Sequence, residues 1–189
     1  MRRVYLIRHG LTEGNRLRRY IGRTDEPLCA AGRAALSAAP LKAIETVYVS
    51  PLLRARETAA ILFPHARQIV VDGLREMDFG AFENRSADDM KNDAAYRAWV
   101  DGLCEGDCPG GENRRGFVAR TVRAFETICA AGRDAPLVIV AHGGTVMALM
   151  SELGEPKKDY WAWHVGAGGC LRCALDGGRL LYEGDGFDA

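Results

Sequence analysis

The sequence predicts an α/β fold, a three-layer α/β/α sandwich built on a mostly parallel sheet. Three observations predict it. Apolar runs of strand length, Val4 to Ile7, Thr46 to Val49 and Leu137 to Ala141, alternate with longer helix-forming stretches. Two of these runs break into a histidine followed by glycine, Arg8-His9-Gly10 and His142-Gly143-Gly144, at strand carboxyl ends where open α/β sheets gather ligands. A chain of 189 residues, 48% of them hydrophobic, can also bury a full core without disulfides or a structural metal.

The elements follow in order. After the first strand, the Ala-rich stretch 29–39 reads as a helix ended by Pro40, and Thr46 to Val49 is a β-branched strand. Ser50-Pro51 supplies an N-cap and a first helical residue for a helix running to Leu62. Gln68 to Val71 is a third strand. Ala87 to Val100 is a helix with Met90, Tyr96 and Trp99 inward, and Phe117 to Ala131 is another. The most apolar strand, Leu137 to Ala141, precedes a helix over Thr145 to Leu153. Cys170 to Leu175 and Arg179 to Tyr182 form a closing hairpin around Asp-Gly-Gly. The whole of 1–189 reads as one domain, with the Gly-, Asp- and Glu-rich stretch 73–112 as a lid or side subdomain.

Charge and cysteine usage narrow the partners. The net charge is zero, which argues against a nucleic-acid binder, yet 21 of the 25 basic residues are Arg, the side chain suited to bidentate phosphate recognition. Residues 1–56 carry 11 basic and 4 acidic side chains, and 57–113 carry 5 and 12. Arg16, Arg18, Arg19 and Arg23 cluster early, either beside a small-anion pocket or on a solvated face. No apolar run reaches membrane-span length and no signal peptide is legible, so the expected location is the cytoplasm. Of the six cysteines, Cys104 and Cys108 have a ligand-like spacing. Cys170 and Cys173 do too, but residues three apart in a strand face opposite ways, so structural thiols are expected and no metal. His65 reads as surface loop. His164 is expected to pack between aromatics, with lining the pocket as the alternative, and Tyr160, Trp161 and Trp163 are expected to close the core near the hairpin.

Two histidines at strand ends, each beside glycine and one of them opening a helix, describe an anion site. Arg8 and Arg54 would wall it with guanidinium groups.

The residues that carry this chemistry lie in blocks: LIRHGLTEGN (6–15), YIGRTDEPL (20–28), VSPLLRARETA (49–59), LREMDFGAFEN (74–84), PGGEN (109–113) and VAHGG (140–144). In content and order they resemble the histidine phosphatase superfamily, the phosphoglycerate-mutase-like phosphatases. The resemblance implies that fold, with His9 as the nucleophile forming a phosphohistidine. It implies a phosphoryl grip by Arg8, Arg54 and His142, with Asn15 in the same pocket, and substrate contacts at Gly22, Arg23, Thr24 and Gly143. Glu76 would be the proton donor and then the base for water, with Glu83 and Glu112 as rivals for that role. Three positions depart from the family pattern. Leu11 replaces an acidic residue, Asn113 a Ser, and Met147 an Arg whose absence weakens the case for a second anionic group on the substrate.

Chain length and the PGGE segment look most like the α-ribazole-phosphatase branch, implying a small-molecule phosphate monoester, possibly α-ribazole 5′-phosphate, as substrate and no cofactor. The alternatives are a broad sugar-phosphate or metabolite phosphatase, then a phosphoglycerate mutase, a phosphoprotein phosphatase or a silent phospho-ligand binder. No membrane or nucleic-acid partner is expected, and the protein would be a monomer or homodimer.

Overall fold

The computed structural model describes residues 1–41, 44–131 and 136–187. Seven strands form one sheet: β1 (Arg2–Arg8), β2 (Thr46–Val49), β3 (Arg67–Val70), β4 (Leu137–Ala141), β5 (Gly154–Glu155), β6 (Cys170–Asp176) and β7 (Arg179–Asp185), in the order β3-β2-β4-β1-β6-β7-β5. The strands β3, β2, β4 and β1 run parallel. β6 is antiparallel to β1 and β7, and β5 is parallel to β7.

The helices are α1 (Glu13–Arg16), α2 (Ala30–Ala34), α3 (Leu53–Leu62), α4 (Ala94–Asp101), α5 (Arg114–Ala130) and α6 (Gly143–Leu153). Alternation along the strands divides the core. Tyr5, Ile7, Val47, Val49, Val138 and Val140 face Ala55, Ala59 and Leu62 of α3. Val4, Leu6, Leu137 and Ile139 face Phe125 and Ile128 of α5 and Val146, Leu149 and Met150 of α6. The three expected layers are present. Cys170 sits in the first cluster and Cys173 in the second, on opposite faces as strand alternation requires.

A third cluster, Met77, Phe82, Met90, Tyr96, Trp99 and Cys108, packs against Phe117 of α5 and Ala148 of α6. It gives the segment after β3 its own interior, with 3₁₀ turns at Asp72–Leu74 and Gly80–Phe82 and α4 as its only α-helix among the described residues.

Several element boundaries differ from the sequence reading, each for a local reason. The helix expected over 87–100 is α4 alone. Ser86 donates twice to Asp89 upstream, a turn that competes with helix, and Asp93 caps α4 through the N–H groups of Ala95 and Tyr96. The stretch 29–39 is helical only over α2, because Ala39 N–H leaves to donate to Leu62 O at 2.8 Å. Ser50 does not cap α3. Leu52 takes the N-cap position, and the first free N–H, of Leu53, donates to the Asp25 carboxylate at 2.6 Å. α5 starts earlier than expected because Asn113 caps it, α6 starts at Gly143 rather than Thr145, and β3 lies one residue earlier. The hairpin turns at Gly177-Gly178, whose φ angles of 51° and 80° are those of the two-residue turn that matches strand twist.

Candidate active site

Register brings the two histidines together. Arg8 at the end of β1 pairs with Ala141 at the end of β4, and His9 N–H donates to Ala141 O at 2.9 Å. The next side chains, His9 and His142, then stand with ring centroids 5.2 Å apart.

His9 is almost fully buried, and its Nδ1 lies 2.6 Å from Gly10 O. A carbonyl only accepts, so Nδ1 carries the proton and Nε2 keeps its lone pair. Gly10 is held in turn by its own N–H on Thr58 Oγ1 at 2.9 Å. Burial, with Arg54 and Arg8 nearby, pushes the His9 pKa down to about 3, so the imidazole is neutral near pH 7. His142 is fully buried with Nε2 2.7 Å from Ser50 Oγ, and burial and Arg54 lower its pKa also. The sequence predicts Ser50 as a helix cap, and the structure places its hydroxyl on His142 instead.

Arg8 donates through Nη1 to Val165 O at 2.7 Å and, at 3.4 Å, faces His164 Nε2. Arg54 is fully buried with both Nη atoms on the carbonyls of Ile21, Gly22 and Thr24. Three donor-capable nitrogens in this cluster, Arg8 Nε, Arg54 Nε and His142 Nδ1, are buried with no hydrogen-bond partner among the described residues.

Glu76 faces the cluster from the segment after β3. One carboxylate oxygen accepts from Gly144 N–H at the start of α6 (2.9 Å) and the other from its own neighbour Met77 N–H (2.9 Å). Burial raises its pKa, against the pull of those N–H groups, Arg54 and Arg8. A Cβ at Gly144 would stand 2.2 Å from Glu76 Oε1, so only glycine lets this carboxyl close on the helix. Arg120 of α5 fixes the backbone on either side, donating to Gly73 O (3.0 Å), Arg75 O (3.1 Å) and Glu76 O (3.4 Å) while paired with Glu112. The sequence reading missed Arg120. Its weak signal is a position two helical turns along α5 from the Asn113 cap.

A pocket of about 280 Å³ opens on this cluster. Arg8, His9, Asn15, Glu76 and Gly143 reach its wall, while Arg54 and His142 are fully buried and are not on it. Gly22, Arg23 and Thr24 are not on the wall. Their N–H groups all turn to Glu83, which is thereby held away from the pocket as Glu112 is by Arg120. The outer wall is aromatic, with Tyr20, Phe79, Trp99, Tyr160 and Trp161, and carries Arg19, Arg114 and His164. His164 and Trp161 are therefore exposed pocket residues, not the core packing expected of them, and of the four clustered arginines only Arg19 is on this wall. Trp163 is buried in the core as anticipated. Met147 lines the pocket with a thioether. Asn113 caps α5, accepting from Gly116 N–H at 2.7 Å. Among the described residues no group of three or more His, Cys, Asp or Glu is arranged to hold a metal ion. A wider groove of about 850 Å³ runs outside α5, sharing Arg114 and Tyr160 with the pocket but none of the histidines.

The sequence model of the histidine phosphatase superfamily (branch 1) matches residues 4–183. The chain belongs to that superfamily. This histidine phosphatase superfamily member is 31% identical to a Hydrogenobacter thermophilus protein provisionally named phosphoserine phosphatase 2, over 96% of this chain and 95% of that one. It is 33% identical to a Serratia proteamaculans protein named probable phosphoglycerate mutase GpmB, over 82% and 77%. The superfamily fold is shared with the crystal structure of the α-ribazole phosphatase from Shigella flexneri, with a TM-score of 0.83, 25% identity and coverage of 96% and 94%. Among the described residues no helix is long and apolar enough to cross a membrane.

Proposed function

We propose that this protein is a phosphatase that hydrolyses a small-molecule phosphate monoester in the cytoplasm through a phosphohistidine at His9. The observation that carries this reading is His9 itself, whose Nδ1 is committed to Gly10 O so that Nε2 presents a lone pair beside three unpartnered buried donors. Those donors, on Arg8, Arg54 and His142, suit the equatorial oxygens of a transferring phosphoryl group. Asn15 and the start of α6 at Gly143 complete the anion site.

The steps follow from these assignments. The Nε2 lone pair attacks phosphorus and the bond from phosphorus to the leaving oxygen breaks. Glu76, whose pKa burial raises, gives its proton to that oxygen. The alcohol departs, and the Glu76 carboxylate takes a proton from water as the water oxygen attacks phosphorus. The N–P bond breaks, the electron pair returns to Nε2, and inorganic phosphate leaves. Arg8 and Arg54 supply the positive charge, so the reaction as proposed needs no metal.

The aromatic wall supports a leaving alcohol that carries a flat apolar ring system, as the riboside released from α-ribazole 5′-phosphate does. A second reading, a phosphatase of small metabolites with an extra carboxylate or other anion, is favoured by Arg19, Arg114 and His164 on the same wall. Phosphate release from an aryl phosphate in EDTA, by wild type and His9→Ala, tests the chemistry. Activity confined to wild type supports it, and equal activity in both proteins overturns it. Comparing kcat/KM for α-ribazole 5′-phosphate, phosphoserine, 3-phosphoglycerate and a phosphopeptide then separates the substrate readings.

A further inference from the structure

Arg54 is held by a short loop. Its Nη1 donates to Thr24 O at 2.8 Å and its Nη2 to Gly22 O at 2.8 Å and Ile21 O at 3.3 Å, leaving Nε for a ligand. A peptide whose carbonyl faces one way turns its N–H the other way. The N–H groups on the far side of this loop converge on one acceptor, the Glu83 carboxylate. Gly22 N–H approaches both its oxygens at 3.1 and 3.2 Å, Arg23 N–H donates at 2.9 Å, and Thr24 donates through N–H at 3.3 Å and Oγ1 at 2.6 Å. Phe79 N–H adds a further donor at 3.1 Å. A Cβ at Gly22 would lie 1.9 Å from Met77 O and 2.3 Å from Glu83 Oε1, so the close approach needs a glycine.

Carboxylate, aligned peptide dipoles and guanidinium thus form three layers, with the positive ends of the dipoles on Glu83 and the negative ends on Arg54. We propose that Glu83 is a positioning residue for phosphoryl transfer, holding loop 21–24 so that Arg54 Nε is aimed at the transferring group. Glu83 sits on the same segment as Glu76, so docking that segment sets the proton donor and the phosphoryl grip in one event. Burial lowers the Arg54 pKa, and the carboxylates of Glu76, Glu26, Asp25 and Glu83 oppose it by favouring the charged form. The proposal rests on Arg54 touching the phosphoryl group.

The test is a double-mutant cycle of Glu83→Gln and Arg54→Ala, reading kcat/KM on an aryl phosphate, the inhibition constant of vanadate and Tm. Misaimed groups typically cost about 10²-fold in rate. Glu83→Gln is expected to lose on that order in kcat/KM, with vanadate weakened in parallel, Tm close to wild type, and no further loss once Arg54 is gone. Wild-type kinetics in Glu83→Gln, or the same loss in both backgrounds, overturns the proposal. Wild-type activity in Arg54→Ala would instead strike the reading of the site beneath it. Should Glu83→Gln fail to fold, Thr24→Val removes only the shortest donor. It should show a smaller loss with the same dependence on Arg54, and additivity there overturns the proposal equally.

Discussion

At the scale of single residues, the site depends on keeping two histidines neutral and on holding one carboxyl, Glu76, whose pKa burial raises. In the unfolded chain His9 takes up a proton below its ordinary pKa of 6.5, whereas in the folded protein it resists until about pH 3. Between those values the unfolded state binds more protons, so stability falls as pH falls through that window, and His142 acts in the same direction. Glu76 has the opposite sign. Its raised pKa stabilises the fold below the ordinary carboxyl value, and that contribution is lost as pH rises through the folded value. His9→Gln should flatten the fall of the urea midpoint between pH 6.5 and about 3, and an unchanged slope would mean that His9 is not held neutral. Glu76→Gln should lower kcat by about 10²–10⁴-fold on alkyl monoesters and by less on aryl phosphates, whose leaving groups need less protonation. Much of this was legible in the sequence. His9, Arg8 and His142 announce themselves because a strand end followed by glycine is a local pattern. Arg54 follows from its place in the first turn of the helix after Ser50-Pro51, whereas Glu76 becomes visible only through the family blocks, since nothing local says that a loop carboxylate converges on β1. His164 and Trp161 were misread because the packing of the 160–164 turn is decided by tertiary contact with Arg8 and Arg114.

At the scale of elements, caps decide where the site-bearing helices begin. Asn113 both caps α5 and donates to Asp107 at 2.7 Å, and α5 carries the Arg120 that fixes the Glu76 backbone. Asn113→Ala should cost about 1 kcal/mol, measured as a lower urea midpoint, while Asn113→Ser should cost less because the cap survives. Arg120→Ala should lower kcat more than it raises KM, since it loosens Glu76, the proposed proton donor, and leaves the pocket wall intact. A larger effect on KM would show that Arg120 acts on binding. Pattern predicted that these helices exist and largely missed their ends. The Ser50 hydroxyl was committed to His142 and the α3 cap came from Asp25, a residue distant in sequence that no window of neighbours contains.

At the scale of the whole molecule, two core layers on the sheet hold β1 and β4 in register, and a third apolar cluster docks the segment that carries Glu76 and Glu83. Phe82 and Phe117 lie at the centre of that docking, both essentially inaccessible to solvent. Phe82→Ala should cost about 3–5 kcal/mol and reduce activity beyond what the lost stability explains, because both carboxylates ride on the loosened segment. Undiminished kcat at a temperature where the variant is folded would contradict that coupling. The central claim is that His9 carries the phosphoryl group, and intact-mass analysis under alkaline quench tests it most directly. Glu76→Gln, slow to activate water, should trap a single phosphoryl group on His9 after mixing with an aryl phosphate, and the Glu76→Gln/His9→Ala double variant should trap none. Wild-type turnover with no phosphoenzyme in either variant, together with an active His9→Ala enzyme, would contradict the account.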